Sequence, residues 1–306
     1  MQQRFISILS WLLLSVCGNA ATGSASVYTD SLVMLRPAQP ENTGSSADSP
    51  DLPYQSFSRL WLQPATATAK PEVRPFITDD SRVIGYRLAQ LEAWARVEKE
   101  NFQQWLIVAY GPTAKIEISV GGVFGVEEHP DGDRRQFSYA LPLIQGKFLF
   151  REYRPGEWPG IGMVVGTFLP NGIGSFRPSG YGSFGFLTIS QVFGQREDLL
   201  LHGNMGANYL YIDRSNNVVG TWGFGTQVRT LGGFHLVGEL FSGDPYVPGT
   251  GTAYQVGFRH FFSDLFQIDM TMGKGIGGQV ILPYWVSAGI RLVSTRFQRP
   301  SRPMRL

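Results

Sequence analysis

From Val83 onward the chain repeatedly alternates apolar and polar residues with a period of two, and no stretch there is apolar for long enough to form a membrane-spanning helix. Successive side chains of a strand point to opposite faces, so this alternation predicts strands with one greasy and one wet surface. The run from 199 to 212 shows it best: Leu201, Met205, Ala207, Tyr209 and Tyr211 share one parity, and His202, Asn204, Gly206 and Asn208 the other. The same split sets Ile116, Ile118, Val120 and Phe124 against Glu117, Ser119 and Gly121, and Phe266, Ile268, Met270 and Met272 against Gln267, Asp269 and Thr271. It recurs in Val286, Ala288, Ile290 and Leu292 against Ser287, Gly289 and Arg291.

About twelve such runs can be placed, near 86–97, 103–111, 115–126, 143–152, 158–169, 184–193, 199–212, 218–230, 234–242, 254–260, 265–273 and 285–297. A tilted strand crosses a bilayer in about 9 to 11 residues, and an even number of antiparallel strands closes a barrel. Two runs, 103–111 and 184–193, are apolar on both parities, which leaves their register open by one residue. Connections at one end are short (112–114, 153–157, 194–198, 231–233 and 261–264). Those at the other include the longer 127–136, 170–183, 243–252 and 274–284, rich in Gly, Pro and Asp, beside two short ones at 98–102 and 213–217. Membrane barrels have this asymmetry between periplasmic turns and outside loops. The expected fold is therefore all-β: a transmembrane antiparallel barrel of about twelve strands. A secreted β-sandwich or lipocalin-like barrel would turn the apolar parity inward instead, and a propeller would need blade-length repeats that the chain lacks.

Composition fits the membrane reading. Of 306 residues only 16% are charged, against about 25% in soluble domains, while 37 are Gly and 21 Phe, 12 Tyr and 7 Trp are present. Only four glycines precede Gly111, and those beyond it (Gly121, Gly162, Gly166, Gly206, Gly223, Gly225, Gly257 and Gly289 among them) fall mostly on the polar parity, where a crowded lumen favours small residues. Tyr209, Tyr211, Trp222, Tyr254 and Phe258 fall on the apolar parity near strand ends, as an interfacial girdle requires. Formal charge is +2, so no basic field points to nucleic acid.

Residues 1–21 read as a signal peptide, with Arg4, an apolar run from Phe5 to Val16 and small residues after it. Cys17, the only cysteine, lies within it, so the exported chain has no disulfide; a lipoprotein-type cleavage at Leu14-Ser15-Val16-Cys17 is the alternative, with Val16 a poor fit. Residues 22–80 read as a flexible leader rich in Ser, Thr, Pro and Ala, part of it able to dock in the barrel; 81–297 form the barrel and 298–306 a basic tail.

The polar parity carries Glu92, Arg96, Glu117, Lys147, Arg151, Arg229, Glu239, Arg259, Asp269 and Arg291 as candidate lumen charges. They can serve as ion pairs that fill a narrow barrel or as a selectivity site, in which the basic members outnumber the acidic ones and favour anions. No catalytic constellation emerges: none of His129, His202, His235 and His260 has the spacing of an outer-membrane lipid hydrolase, and His202 reads as a hydrogen-bonding lumen residue. Gly223-Phe224-Gly225 lies within a strand and precedes no helix, so no nucleotide loop, cofactor or metal is expected.

From Arg74 onward the sequence resembles the outer-membrane barrel family named for the meta-pathway of phenol degradation. The matching pieces are Arg74-Pro75-Phe76-Ile77-Thr78-Asp79-Asp80, Gln90-Leu91-Glu92, Tyr110-Gly111-Pro112-Thr113, Leu169-Pro170-Asn171-Gly172, Gln267-Ile268-Asp269 and Gly273-Lys274-Gly275, in order over about 220 residues. The resemblance implies a bacterial outer-membrane protein, in contact with outer-membrane lipid and the assembly machinery, that passes small solutes, hydrophobic or aromatic ones among them. Such barrels usually end on an aromatic strand, whereas here residues 298–306 follow Phe297. A barrel that only anchors or interacts at the surface, without transport, is the alternative function.

Overall fold

A computed structural model describes residues 77–297 except 129–134, 195, 213–214, 245–249 and 279. The signal peptide, Cys17, most of the leader, His129 and the basic tail lie outside the described residues. Among those described, the chain forms β1 (Ala89–Glu98), β2 (Asn101–Tyr110), β3 (Ile116–Glu128), β4 (Arg135–Arg151), β5 (Gly160–Phe168), β6 (Gly172–Ile173), β7 (Tyr181–Phe193), β8 (Leu199–Ile212), β9 (Ser215–Arg229), β10 (Phe234–Ser242), β11 (Thr252–Ser263), β12 (Phe266–Gly277) and β13 (Trp285–Ser294).

Every neighbouring pair is antiparallel, and β13 pairs with β1, Ser294 opposite Ala89 and Trp285 opposite Glu98, so the sheet closes. The two-residue β6 prolongs the β5 ladder along β4, which leaves twelve strands in the wall. Closure satisfies the backbone polar groups strand to strand, the condition for a sheet in lipid. The outward parity is apolar and exposed, from Leu106 and Val108 on β2 through Leu187 and Ile189 on β7 to Met270 and Met272 on β12. Tyr209, Tyr211, Trp222, Tyr254 and Phe258 face outward too. Polar side chains are buried on the inner face. This inversion marks a membrane barrel, since a soluble barrel would bury its apolar parity.

One end carries the start of β1, the end of β13 and the turns that join β2 to β3, β4 to β5, β7 to β8, β9 to β10 and β11 to β12; the other carries the opposite strand ends, among them Glu98, Glu128, Phe168, Ile212, Ser242 and Gly277. We call them the turn end and the loop end.

Strand β4 departs most from expectation, starting at Arg135 rather than near 143. Gly121 pairs with Leu143 and Val123 with Ala140, so β4 carries one extra residue at Leu141–Pro142 and its parity flips there. Ser138 and Ala140 face inward before the bulge, and Leu143, Gln145 and Lys147 after it. The ambiguity of β2 and β7 also has a structural cause. On their inner faces Trp105, Ile107 and Phe184 join Val123, Ala140, Leu143, Val164 and Phe168 in a buried apolar cluster, so both faces of these strands are greasy.

Candidate functional site

The lumen is the candidate site, and the chain that precedes β1 occupies part of it. Residues Thr78, Asp79, Asp80, Ser81, Arg82, Val83 and Ile84 are all buried, and their polar groups bond to the wall along its height. Near the turn end the Ile84 amide donates to Glu117 Oε2 at 2.9 Å, and the Ser81 amide to Ser190 Oγ at 2.8 Å. Higher up, Lys147 Nζ donates to Asp79 Oδ1 at 2.8 Å, the Asp79 amide donates to Asn204 Oδ1 at 2.6 Å, and the Asp79 carbonyl accepts from Thr188 Oγ1 and Asn204 Nδ2. Nearest the loop end, the Thr78 amide and hydroxyl each donate to Glu239 Oε2 at 2.7 Å, and the Ile77 amide reaches Glu239 Oε1 at 3.3 Å. With its proton committed to Glu239, the Thr78 hydroxyl is the acceptor for His202 Nε2, 2.9 Å away. Ile77 packs against Phe241, Ala253, Leu282 and Trp285.

Glycine makes the passage possible. A Cβ on Gly223 would stand 2.3 Å from Thr78 Cγ2, and one on Gly225 would stand 2.1 Å from His202 Nε2 and 2.6 Å from Thr78 Oγ1. The glycines of the polar parity thus leave room for the inserted segment, a role that alternation alone does not reveal.

A clasp ties the segment to two turns at the turn end. Arg82 binds Asp80 through Nε at 3.0 Å and Nη2 at 2.7 Å, while Nη1 lies 3.5 Å from Glu197 Oε2 in the β7–β8 turn. Tyr153, in the β4–β5 turn, donates its hydroxyl to Glu197 Oε1 at 2.8 Å and lies beside the Arg82 guanidinium. Burial, then the adjacent Glu197 carboxylate, push the Tyr153 phenol up to about 12.

Of the ten candidate charges, Glu92, Arg96, Glu117, Lys147, Glu239, Arg259, Asp269 and Arg291 are buried on the lumen face. Gln90 links two of them, donating to Glu92 Oε1 and accepting from Arg291 Nε, both at 2.7 Å; Arg259 Nη1 donates to Gln227 Oε1 at 2.7 Å. Arg96 lies 4.3 Å from the Trp285 ring centroid and 2.6 Å from Glu98 Oε1. Arg151 and Arg229 differ from expectation: both are exposed at the turn end. A register shift between Leu149 and Arg151 carries Arg151 out of the ladder's parity, and its Nε donates to the Pro159 carbonyl. Arg229 is the last residue of β9 and reaches the Arg196 carbonyl instead of the lumen. The buried wall charges that remain are four basic and four acidic, so the basic excess is lost.

Sequence reasoning allowed part of the leader to dock in the barrel but named none of Thr78, Asp79, Asp80, Ser81 and Arg82 as lumen residues. Their available signal was a run of charged and hydroxyl groups directly before β1 that belongs to no strand. Among the described residues no cluster of His, Cys, Asp or Glu has the arrangement to hold a metal.

No family model and no curated protein matches the chain. Among solved structures, an outer membrane channel from Pseudomonas putida F1 superposes with a TM-score of 0.56 at 10% identity, covering 73% of this chain and 100% of that one. The two chains share a fold. The KdgM porin (TM-score 0.46, 9% identity, 66% of this chain and 98% of that one) and the NanC porin (0.42, 12%, 67% and 98%) are also similar in structure.

Proposed function

We propose that this protein is a bacterial outer-membrane channel for small solutes, related to the barrel family named for the meta-pathway of phenol degradation. The observation that carries the proposal is the lumen: a closed wall with a lipid-compatible exterior encloses buried charges of both signs and a polar segment threaded among them. A barrel serving only as an anchor needs none of these costly internal charges, because each must be compensated by hydrogen bonds or ion pairs. Small solutes pass along the lumen beside the inserted segment, exchanging water for polar groups of the wall. The fold neighbour from Pseudomonas putida, itself an outer membrane channel, supports the same reading. No group in the lumen is assigned a catalytic part.

Flux into proteoliposomes tests this. Folded protein reconstituted with arabinose outside should swell vesicles faster than protein-free controls, with the rate falling as the sugar grows. Equal rates with and without protein, for every solute tried, would support the surface-interaction barrel instead.

A further inference from the structure

We propose that Lys274 and the two tyrosines beside it form a docking site, on the lipid face of the barrel, for a phosphorylated glycolipid of the outer leaflet, lipopolysaccharide. The inference goes beyond the channel reading, because it concerns the outside of the wall and needs no passage through the lumen.

Strand parity places the cation. Along β12 the outward residues are Phe266, Ile268, Met270, Met272, Lys274 and Ile276, and Lys274 is exposed with them. The other charged residues of β10 to β13, namely Glu239, Arg259, Asp269 and Arg291, are buried on the inner face. Lys274 is therefore the one charge that these four strands turn towards lipid, and the loop from β12 to β13 contains no acidic residue. Among the described residues no hydrogen bond or ion pair engages its ammonium. Met272 and Ile276, both exposed, flank it along the strand, so an ammonium here needs an anion from outside the chain.

Its height selects the anion. Phe266 stacks on Phe262, ring centroids 5.0 Å apart, in the aromatic girdle at the turn end. Lys274 stands eight residues further along β12. At about 3.3 Å per residue and a tilt of about 40°, that separation is about 20 Å along the membrane normal. The apolar band of such barrels is about 25 Å tall, so the ammonium reaches the boundary where outer-leaflet acyl chains meet phosphorylated sugars.

Two donors stand beside it. Tyr254 lies directly opposite Lys274 in the β11–β12 ladder, and on the other side Tyr284 precedes Trp285, the partner of Gly273. Both tyrosines are exposed, and Tyr284 Oη lies only 3.8 Å from Met272 Sδ, which lays its ring along the lipid face with a hydroxyl at hand for a phosphate oxygen. An ammonium and hydroxyls around one phosphate make charge-assisted hydrogen bonds. Below them Val256, Phe258, Met270 and Met272 present exposed apolar surface to acyl chains, which favours the lipid over free phosphate.

Native mass spectrometry of the folded, detergent-solubilised protein tests the site, with rough-type lipopolysaccharide, its dephosphorylated form and inorganic phosphate as probes. The unsubstituted barrel should retain lipopolysaccharide. Affinity should fall about tenfold for the dephosphorylated lipid and in Lys274→Met, as expected for the loss of a charged contact, and Lys274→Arg should restore it. Heat-modifiable migration confirms that each variant folds. Equal retention by the unsubstituted protein and Lys274→Met, equal retention of the two lipid forms, or displacement of the lipid by inorganic phosphate overturns the proposal. Absent arabinose flux with Lys274-dependent retention overturns the channel and leaves the lipid site standing.

Discussion

Replacing Glu239 by glutamine should loosen the inserted segment while leaving the barrel wall intact. Each carboxylate oxygen of Glu239 receives two donors: Oε1 accepts from the Ile77 amide and Gln255 Nε2, and Oε2 from the Thr78 amide and hydroxyl. A glutamine side chain has a single oxygen, so either orientation turns an NH2 group towards two donors. A buried donor deprived of its acceptor costs about 1 to 3 kcal/mol, and bonds to a charged acceptor lie at the upper end of that range. A loss of about 3 kcal/mol therefore raises the undocked population on the order of a hundredfold. The reporter is Ser81→Cys, because Ser81 is fully buried and the chain's only natural cysteine is Cys17. Its reaction with a water-soluble thiol reagent should be slow in the otherwise natural protein and about a hundredfold faster when Glu239→Gln is added. Equal labelling rates in the two proteins, both showing the heat-modifiable migration of a folded barrel, would refute the idea that Glu239 holds the segment in place.

Two further perturbations probe the wall and the clasp. Arg96→Ala removes a buried guanidinium from both the Trp285 ring and Glu98, whose side chain is only 6% exposed. Breaking a buried pair from one side costs about 3 to 5 kcal/mol, so the urea midpoint for loss of the folded gel species should fall clearly; an unchanged midpoint contradicts the assigned packing. The raised Tyr153 phenol gives a pH signature. Its folded value of about 12 lies above the ordinary value of 10.0, so the neutral, Glu197-bonded form stabilises the clasp fully below pH 10, and that contribution is lost as pH rises towards 12. Thiol labelling of Ser81→Cys should accelerate over that interval and lose the dependence in Tyr153→Phe, whereas a flat profile in both would count against the clasp.

Legibility in the sequence followed the physics of each segment. Strand β8 was readable to the residue, because Leu201 to Tyr211 faces lipid on one side and polar lumen on the other, the condition under which period two is clean. Strand β4 was half hidden because its bulge at Leu141–Pro142 reverses the parity within one strand, and no local pattern marks where the extra residue sits. The doubt over β2 and β7 came from a real feature, the buried apolar cluster on their inner faces. Charges deep within a strand, such as Lys147 and Asp269, follow parity, while those at a strand's last residues, Arg151 and Arg229, escape to the rim. The inserted segment was the least legible part. Its eight residues have no repeat of their own, and their place depends on Lys147, Asn204 and Glu239, which stand 68 to 162 residues away in the chain.

A channel narrowed by the segment before β1 is tested most directly by single-channel recording in planar bilayers. The folded protein should give small, salt-dependent currents, and Gly223→Val, whose side chain would collide with Thr78, should enlarge them by displacing the segment. Silence from both proteins at every salt concentration, with each shown to be inserted and folded, would contradict the account.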